Sequence, residues 1–279
     1  MAKIKLIALD LDGTLLDSQK RLSYRNEKVL LECMRRGITV APCTGRIWFA
    51  VPEFLQQMQG IRYAITTNGA VVEDVMKKQI LDERKLSCAQ AVELIELAKQ
   101  FHTMYDAYAG GLAFGEARFI GHMEEFGITE HIQTMIRKTR QMVPSVEAEL
   151  RRLNRTVEKV NYFFGDLEER QRAREALMAR GDVVVSSSFS NNLEINALGA
   201  TKGEAILRLA SHLGIAPEET MGFGDGENDM TMIEMAGIGV AMGNSMEELK
   251  AKADYVTVTN DEDGVAAAIE KLVFDEGND

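Results

Sequence analysis

Alternating apolar strands and helical stretches predict an α/β protein, with a Rossmann-like parallel-sheet core and an inserted α+β domain. Three observations predict it. Short apolar runs at residues 4–9, 38–41 and 63–67 are separated by helical stretches. The same alternation resumes after Lys202. Between the two blocks, residues 86–196 mix helices and strands without that order and carry little recognisable chemistry. The expected division is a discontinuous core domain, 1–85 with 197–279, and an inserted domain, 86–196. An insertion of that length is tolerable because loop-closure cost grows only logarithmically with length.

The elements come in order. Residues 4–9 are apolar apart from Lys5 and stop at Asp10, as a buried parallel strand does. Residues 24–36 place Val29, Leu30, Cys33 and Met34 on one helical side, with Gly37 suited to the C-terminal cap. A second strand, 38–41, runs into Pro42-Cys43-Thr44-Gly45-Arg46, and a helix is expected from there to about Met58. A third strand, 63–67, ends at Asn68-Gly69, and residues 70–85 read as a hairpin turning near Lys77-Lys78. In the insertion, helices are expected at 89–101, 120–126 and 167–179, and strands at 159–164, 183–187 and 193–196. After Lys202 come helix 203–213, strand 220–224, helix 229–236, strand 238–241, helix 246–252, strand 255–257 and helix 264–272.

Composition narrows the function. Of 279 residues, 46% are hydrophobic and 27% charged, which supports a real core and excludes a disordered or fibrous chain. The net charge of −11 disfavours nucleic acid and anionic membrane surfaces as partners. Cys33, Cys43 and Cys88 are scattered and form no CxxC pair, so reduced thiols in a cytoplasmic protein are expected. The first residues lack the pattern of a signal peptide, and no apolar stretch approaches the roughly 20 residues that span a bilayer. The four histidines have no metal-ligand spacing, and the methionines read as core filler.

In open parallel sheets, ligands bind beyond the carboxyl ends of the strands. Those ends carry Asp10 and Asp12, Thr44, Asn68, and Asp225, which the fold would bring to one edge. Asp10 and Asp12 stand two apart, so extended geometry points both carboxylates the same way, and Gly13 lets the loop turn off. One can attack or bind metal while the other moves a proton; the competing interpretation is an ordinary turn. Asp225, in Gly224-Asp225-Gly226-Glu227-Asn228-Asp229, can complete a magnesium site with Asp10, since magnesium takes hard oxygen ligands. Asp229 serves that site or caps a helix. Thr44 and Gly45, ahead of a helix, can cradle a phosphate or simply cap that helix. Arg46 reaches substrate or covers surface. Lys202 stands out as the candidate cation near these loops, able to hold phosphate and offset the carboxylates. Cys43 reads as packing rather than a nucleophile. In the insertion, Asn191 and Asn192 are expected to face the site.

These motifs resemble those of the haloacid-dehalogenase-like hydrolases. Asp10-Leu11-Asp12-Gly13-Thr14-Leu15 is similar to the family's first motif, Thr44-Gly45-Arg46 to its second, Lys202-Gly203 to its third, and Gly224 to Met230 to its fourth. Asn68-Gly69-Ala70 and Gly239 to Asn244 resemble further marks of the Cof-type phosphatases. The resemblance implies that Asp10 attacks phosphorus and becomes an aspartyl-phosphate, while Asp12 protonates the leaving oxygen and then activates water. It implies Mg²⁺ on Asp10, the Asp12 backbone carbonyl and Asp225. Phosphate would be held by Thr44, the backbone at Leu11 and Gly45, Lys202 and Asn228. Asp229 would support the metal from behind its direct ligands or orient Lys202. The insertion would be the family's α/β cap, closing as a lid and supplying the leaving-group pocket.

The expected activity is hydrolysis of small phosphate monoesters, either sugar phosphates or phosphorylated cofactors such as pyridoxal phosphate or flavin mononucleotide. Two rivals share the nucleophile. A phosphomutase usually carries its cap between the first two motifs, where this chain has too little length. A phosphorylatable receiver would not need Asp12 or a large inserted domain.

Overall fold

A computed structural model describes residues 3–275. The chain forms two compact units, one from Met1–Arg46, Val51–Glu83 and Thr201–Asp279 as far as these are described, the other from Ile47–Ala50 and Arg84–Ala200.

The first unit is built on five parallel strands in the order Tyr255–Val256, Ile238–Ala241, Thr220–Gly224, Leu6–Leu9, Thr39–Pro42. Leu6 to Leu9 are all buried, as expected for a central parallel strand covered on both faces. The helix Tyr24–Arg35 starts at Ser23, whose hydroxyl accepts from the Asn26 N–H at 3.0 Å. Just past its other end stands Gly37, at φ +81°. Lys202–Leu213 is capped by Thr201, which accepts from the Glu204 N–H, and is closed by the left-handed Gly214. Ile206 and Leu209 from this helix pack with Leu6, Ala8, Ile65 and Met232.

Two expectations fail here, both for backbone reasons. The strand Tyr63–Thr66 does not extend the parallel sheet. It heads a separate antiparallel sheet with Val71–Asp74 and Gln79–Glu83, and meets the parallel sheet in one bridge, Cys43 to Ile65. Thr67, Asn68 and Gly69 all have positive φ (50°, 59°, 94°) and turn the chain back on itself. The expected hairpin at 70–85 is the rest of that sheet. The helix expected from Arg46 to Met58 is broken into a single 3₁₀ turn, Trp48–Ala50, and one helical turn, Glu53–Gln56. Pro52 lies between them, and the residue before a proline is pushed out of the helical region.

The second unit is a six-stranded sheet in the order Val183–Ser186, Asn192–Ala197, Lys159–Phe163, Met104–Ala109, Leu112–Glu116, Arg140–Val143, antiparallel except for the last pair. Tyr105, Ala107, Val160, Tyr162, Leu193 and Ile195 join the apolar core formed with the helices Cys88–Ala98, Val146–Leu153 and Leu167–Arg180. By strand alternation the opposite face carries Asp106, Tyr108, Lys159, Asn161 and Glu194. These are buried too, and are linked by Arg140–Asp106 (3.0 Å), Asn161–Asp106 (2.6 Å) and Lys159–Glu194 (2.6 Å) contacts. The helix expected at 120–126 is only a 3₁₀ turn, Met123–Phe126. Asn191 and Asn192 are engaged in their own surroundings: Asn191 donates to the Phe126 carbonyl, and Asn192 accepts from the N–H groups of Ser188 and Phe189.

Candidate active site

Register places the predicted residues. Leu9 lies opposite both Phe223 and Pro42, and Gly224 opposite Ala241. Asp10, Cys43 and Asp225 therefore each come directly after the last residue of neighbouring strands, with Asp10 N–H bonded to the Phe223 carbonyl (3.0 Å) and Cys43 N–H to that of Leu9 (2.7 Å). This is the edge where open parallel sheets bind ligands.

After Asp10 the chain folds into a tight loop. Leu15 N–H donates to the Asp10 carbonyl, and Leu16 N–H to that of Leu11. Gly13 is required: its φ is +91°, and a Cβ there would stand 2.4 Å from Asp225 Oδ2. The loop is tied across the edge by Thr14 Oγ1 to Asp225 Oδ1 (2.7 Å) and by Asn244 Nδ2 to the Gly13 carbonyl (2.8 Å).

Lys202 is the centre of the charge arrangement. Its ammonium is fully buried and donates to Asp10 Oδ1 at 2.5 Å and Asp229 Oδ1 at 2.6 Å. Burial works against its charge, yet the two carboxylates hold its pKa well above the usual lysine value. The other Asp229 oxygen, Oδ2, accepts from the N–H groups of Asp225 (3.0 Å) and Gly226 (2.9 Å). Asp229 thus orients both Lys202 and the Asp225 loop.

Asp10, Asp225 and Asp229 each offer an oxygen within 4.8 Å of the others. Burial, only partly offset by Lys202, pushes the Asp10 carboxyl well up. Burial, then the Asp229 charge, lifts that of Asp225 to about 6. Three carboxylates against one buried lysine leave negative charge uncompensated, and hard oxygen donors in that number suit a divalent cation such as Mg²⁺. The residues fit the ion.

Asp12 stands apart from this cluster. Its carboxylate receives Arg46 Nε at 2.8 Å and the second Arg46 nitrogen at 2.7 Å, a bidentate pair, and also Lys20 Nζ at 2.9 Å. Burial raises its pKa, but Arg46 and then Lys20 outweigh that and hold it at about 2. In this arrangement Asp12 is an ionised, oriented acceptor. Lys20 is not among the residues the sequence singles out. The signal available is the Asp17 to Arg21 turn, with Asp17 able to bond its own following backbone.

Thr44 is buried, and its hydroxyl accepts from the Arg46 N–H (3.2 Å). With no helix following Gly45, a helix-dipole cradle is absent there. Asn228 Nδ2 donates to Asn68 Oδ1 (3.2 Å), so Asn68 is drawn to the same edge. Leu11 is buried. Burial raises the Cys43 thiol far above its ordinary value, which makes it inert at neutral pH.

A family model of haloacid dehalogenase-like hydrolases matches residues 7–269. Among curated relatives, the phosphatase YwpJ of Bacillus subtilis is 31% identical over 97% of this chain and 100% of its own length. The 5-amino-6-(5-phospho-D-ribitylamino)uracil phosphatase YcsE of the same organism is 32% identical over 97% of this chain and 96% of its own. The solved structure of a haloacid dehalogenase-like hydrolase from B. subtilis superimposes with a TM-score of 0.85 at 30% identity, covering 96% of this chain and 100% of that one. The chain therefore belongs to the haloacid dehalogenase-like hydrolase family, in its Cof-type phosphatase branch. As an enzyme it is a phosphoric monoester hydrolase. Among the described residues, no helix is long and apolar enough to cross a membrane.

Proposed function

We propose that this enzyme hydrolyses small phosphate monoesters with Mg²⁺, using Asp10 as the nucleophile. The observation that carries the proposal is the buried Lys202 ammonium 2.5 Å from Asp10, at the strand edge that also holds Asp225 and Asp229. Lys202 keeps Asp10 oriented and offsets charge that a phosphate would add. An Asp10 oxygen attacks phosphorus, the bond from phosphorus to the ester oxygen breaks, and Asp10 carries the phosphoryl group. Asp12 must first give up its contacts with Arg46 and Lys20 and take a proton from solvent, and it then passes that proton to the leaving oxygen. Asp12, ionised again, takes a proton from water as that water attacks phosphorus, the bond from phosphorus to the Asp10 oxygen breaks, and inorganic phosphate leaves with Asp10 free again. Thr44, Asn228 and the backbone at Leu11 and Gly45 would hold the phosphate oxygens. Mg²⁺, held by Asp10, the Asp12 backbone carbonyl and Asp225, would supply charge neutralisation for the incoming phosphate.

The substrate class is drawn from the relatives. YcsE is named for a phosphoribityl compound. A polyol or sugar phosphate is therefore the first class to test here, with pyridoxal phosphate and flavin mononucleotide as the cofactor arm. The test is phosphate release from p-nitrophenyl phosphate and from these esters, in EDTA and after adding Mg²⁺. Release that stops in EDTA and returns with Mg²⁺, and that is absent in Asp10→Asn, is expected. Full turnover in metal-free buffer would sink the metal role. Stoichiometric phosphorylation without release would mark a phosphoryl acceptor instead.

A further inference from the structure

Lys20 is presented to Asp12 by a loop built for little else. Asp17 closes the loop at both levels. Its N–H donates to the Arg21 carbonyl (3.0 Å) and its carbonyl accepts from the Lys20 N–H (2.8 Å). Its carboxylate accepts from the N–H groups of Gln19 (2.9 Å) and Arg21 (2.8 Å) and from Arg21 Nε (3.0 Å). Ser18 N–H is anchored to Asp261 Oδ1 at 2.7 Å. Lys20 itself takes a left-handed backbone, φ 61°, which costs a non-glycine residue free energy. That conformation sends its ammonium to the same Asp12 oxygen that the second Arg46 nitrogen engages. The Asp17 turn holds Lys20 in that conformation, and the partly exposed ion pair it makes adds little to stability, so its effect falls on where the Asp12 carboxylate points.

We propose that Lys20 is a positioning residue for Asp12: with Arg46 it fixes the carboxylate's orientation for the half-reaction in which Asp12 takes a proton from water. This rests on the mechanism proposed above. Two cations from different segments, Lys20 from the loop after the first strand and Arg46 from the loop after the second, grip both oxygens of one carboxylate. A bidentate partner alone leaves rotation of the whole pair. A third contact from another direction removes it. A catalytic group misplaced by about 1 Å can cost on the order of 100-fold in rate. Removing one of two clamps should cost less than that.

The test is a double-mutant cycle on the full-length, Mg²⁺-supplied enzyme with p-nitrophenyl phosphate, crossing Lys20→Met with Asp12→Asn. The aryl ester needs little help from an acid, so turnover reports the water-activating half-reaction; Asp12→Asn slows that step, and its residual rate is read at high enzyme concentration. Lys20→Met should lower kcat about 10-fold and leave KM within about twofold. Lys20→Arg should restore most of that loss. In the Asp12→Asn background, Lys20→Met should change kcat by less than about twofold, because the residue through which it acts is gone. The same loss in both backgrounds overturns the inference, as does an unchanged kcat in the single variant. A thermal midpoint taken on each variant separates loss of folding from loss of orientation. If the wild-type enzyme releases no phosphate from any ester, the mechanism falls and this inference with it. If it turns over and the cycle is additive, only the inference falls.

Discussion

Removing the Lys202 charge should unbalance the centre of the site and destabilise the protein in a pH-dependent way. The ammonium is wholly buried and lies 2.5 and 2.6 Å from the carboxylates of Asp10 and Asp229. At an effective dielectric of about 20, each contact carries about 6–7 kcal/mol of gross attraction. Desolvation of three charges consumes most of that, so the net worth of the trio is small. Its disruption is not small: Lys202→Met leaves two buried carboxylates unpaired, and breaking such a pair from one side costs about 3–5 kcal/mol. At about 2–4 °C per kcal/mol, the thermal midpoint should fall by about 6–20 °C at pH 8. Asp10, already raised by burial, can escape by taking a proton, since removing the lysine takes away the charge that partly offsets that rise. A group whose folded pKa is raised is relieved as pH falls, so the deficit should shrink at pH 5.5. Asp229→Asn added to Lys202→Met should recover part of the midpoint at pH 8. Melting curves of wild type and both variants at the two pH values decide it. A Lys202→Met midpoint within about 1 °C of wild type at pH 8 would refute the reasoning, and so would an equal deficit at both pH values with no recovery from Asp229→Asn.

Two further outcomes rest on the same geometry. Gly13→Ala forces a side chain into a backbone at φ +91° and against Asp225 at 2.4 Å; a loss of about 1–3 kcal/mol is expected in urea unfolding, with a larger proportional loss of phosphate release, and unchanged values for both would show that the loop relaxes freely. In EDTA, the burial-raised Asp225, near 6, binds its proton more tightly folded than unfolded, so this group should lower metal-free stability by about 3 kcal/mol at most as pH rises from about 4 to 6, with Asp10, raised in the same sense, adding to the fall. Saturating Mg²⁺ should remove that slope; parallel urea-midpoint profiles with and without the ion would exclude Asp225 as a ligand.

The parts of the site visible in the sequence are those dictated directly by strand ends. Asp10 and Asp225 each stand one residue past a buried, largely apolar strand, and parallel pairing in register is enough to make them neighbours. The segment after a strand is less predictable. Thr44-Gly45 looks like a helix start, but Pro52 and the 3₁₀ turn at Trp48–Ala50 deny it a helix. Tyr63–Thr66 is apolar enough for the parallel sheet, yet three consecutive left-handed residues after it commit it to a hairpin sheet. In the second unit, the strands Met104–Ala109 and Leu112–Glu116 are hidden in the sequence because Asp106, Tyr108 and Glu116 make them look like loop. Their joint is legible all the same: Gly110-Gly111, both at positive φ, is the two-residue turn that hairpins favour.

The cations show why charge is harder to read than fold. Lys202 and Lys20 are single lysines in a chain with a net charge of −11, and nothing in composition separates them from surface lysines. Lys202 stands out because it opens a helix after a motif-poor stretch and two acidic loops need a counter-charge. Lys20 meets no such demand, since Asp12 reads as a proton donor, and a donor does not call for two cations. The bidentate Arg46 contact reverses that requirement. A carboxylate held at about 2 by paired cations is built to stay ionised. For Asp12 to donate a proton, the energy of substrate binding must go into drawing Arg46 and Lys20 away from it. Under the proposed mechanism the first half-reaction therefore carries the cost of that rearrangement and should be the step that responds to the leaving group.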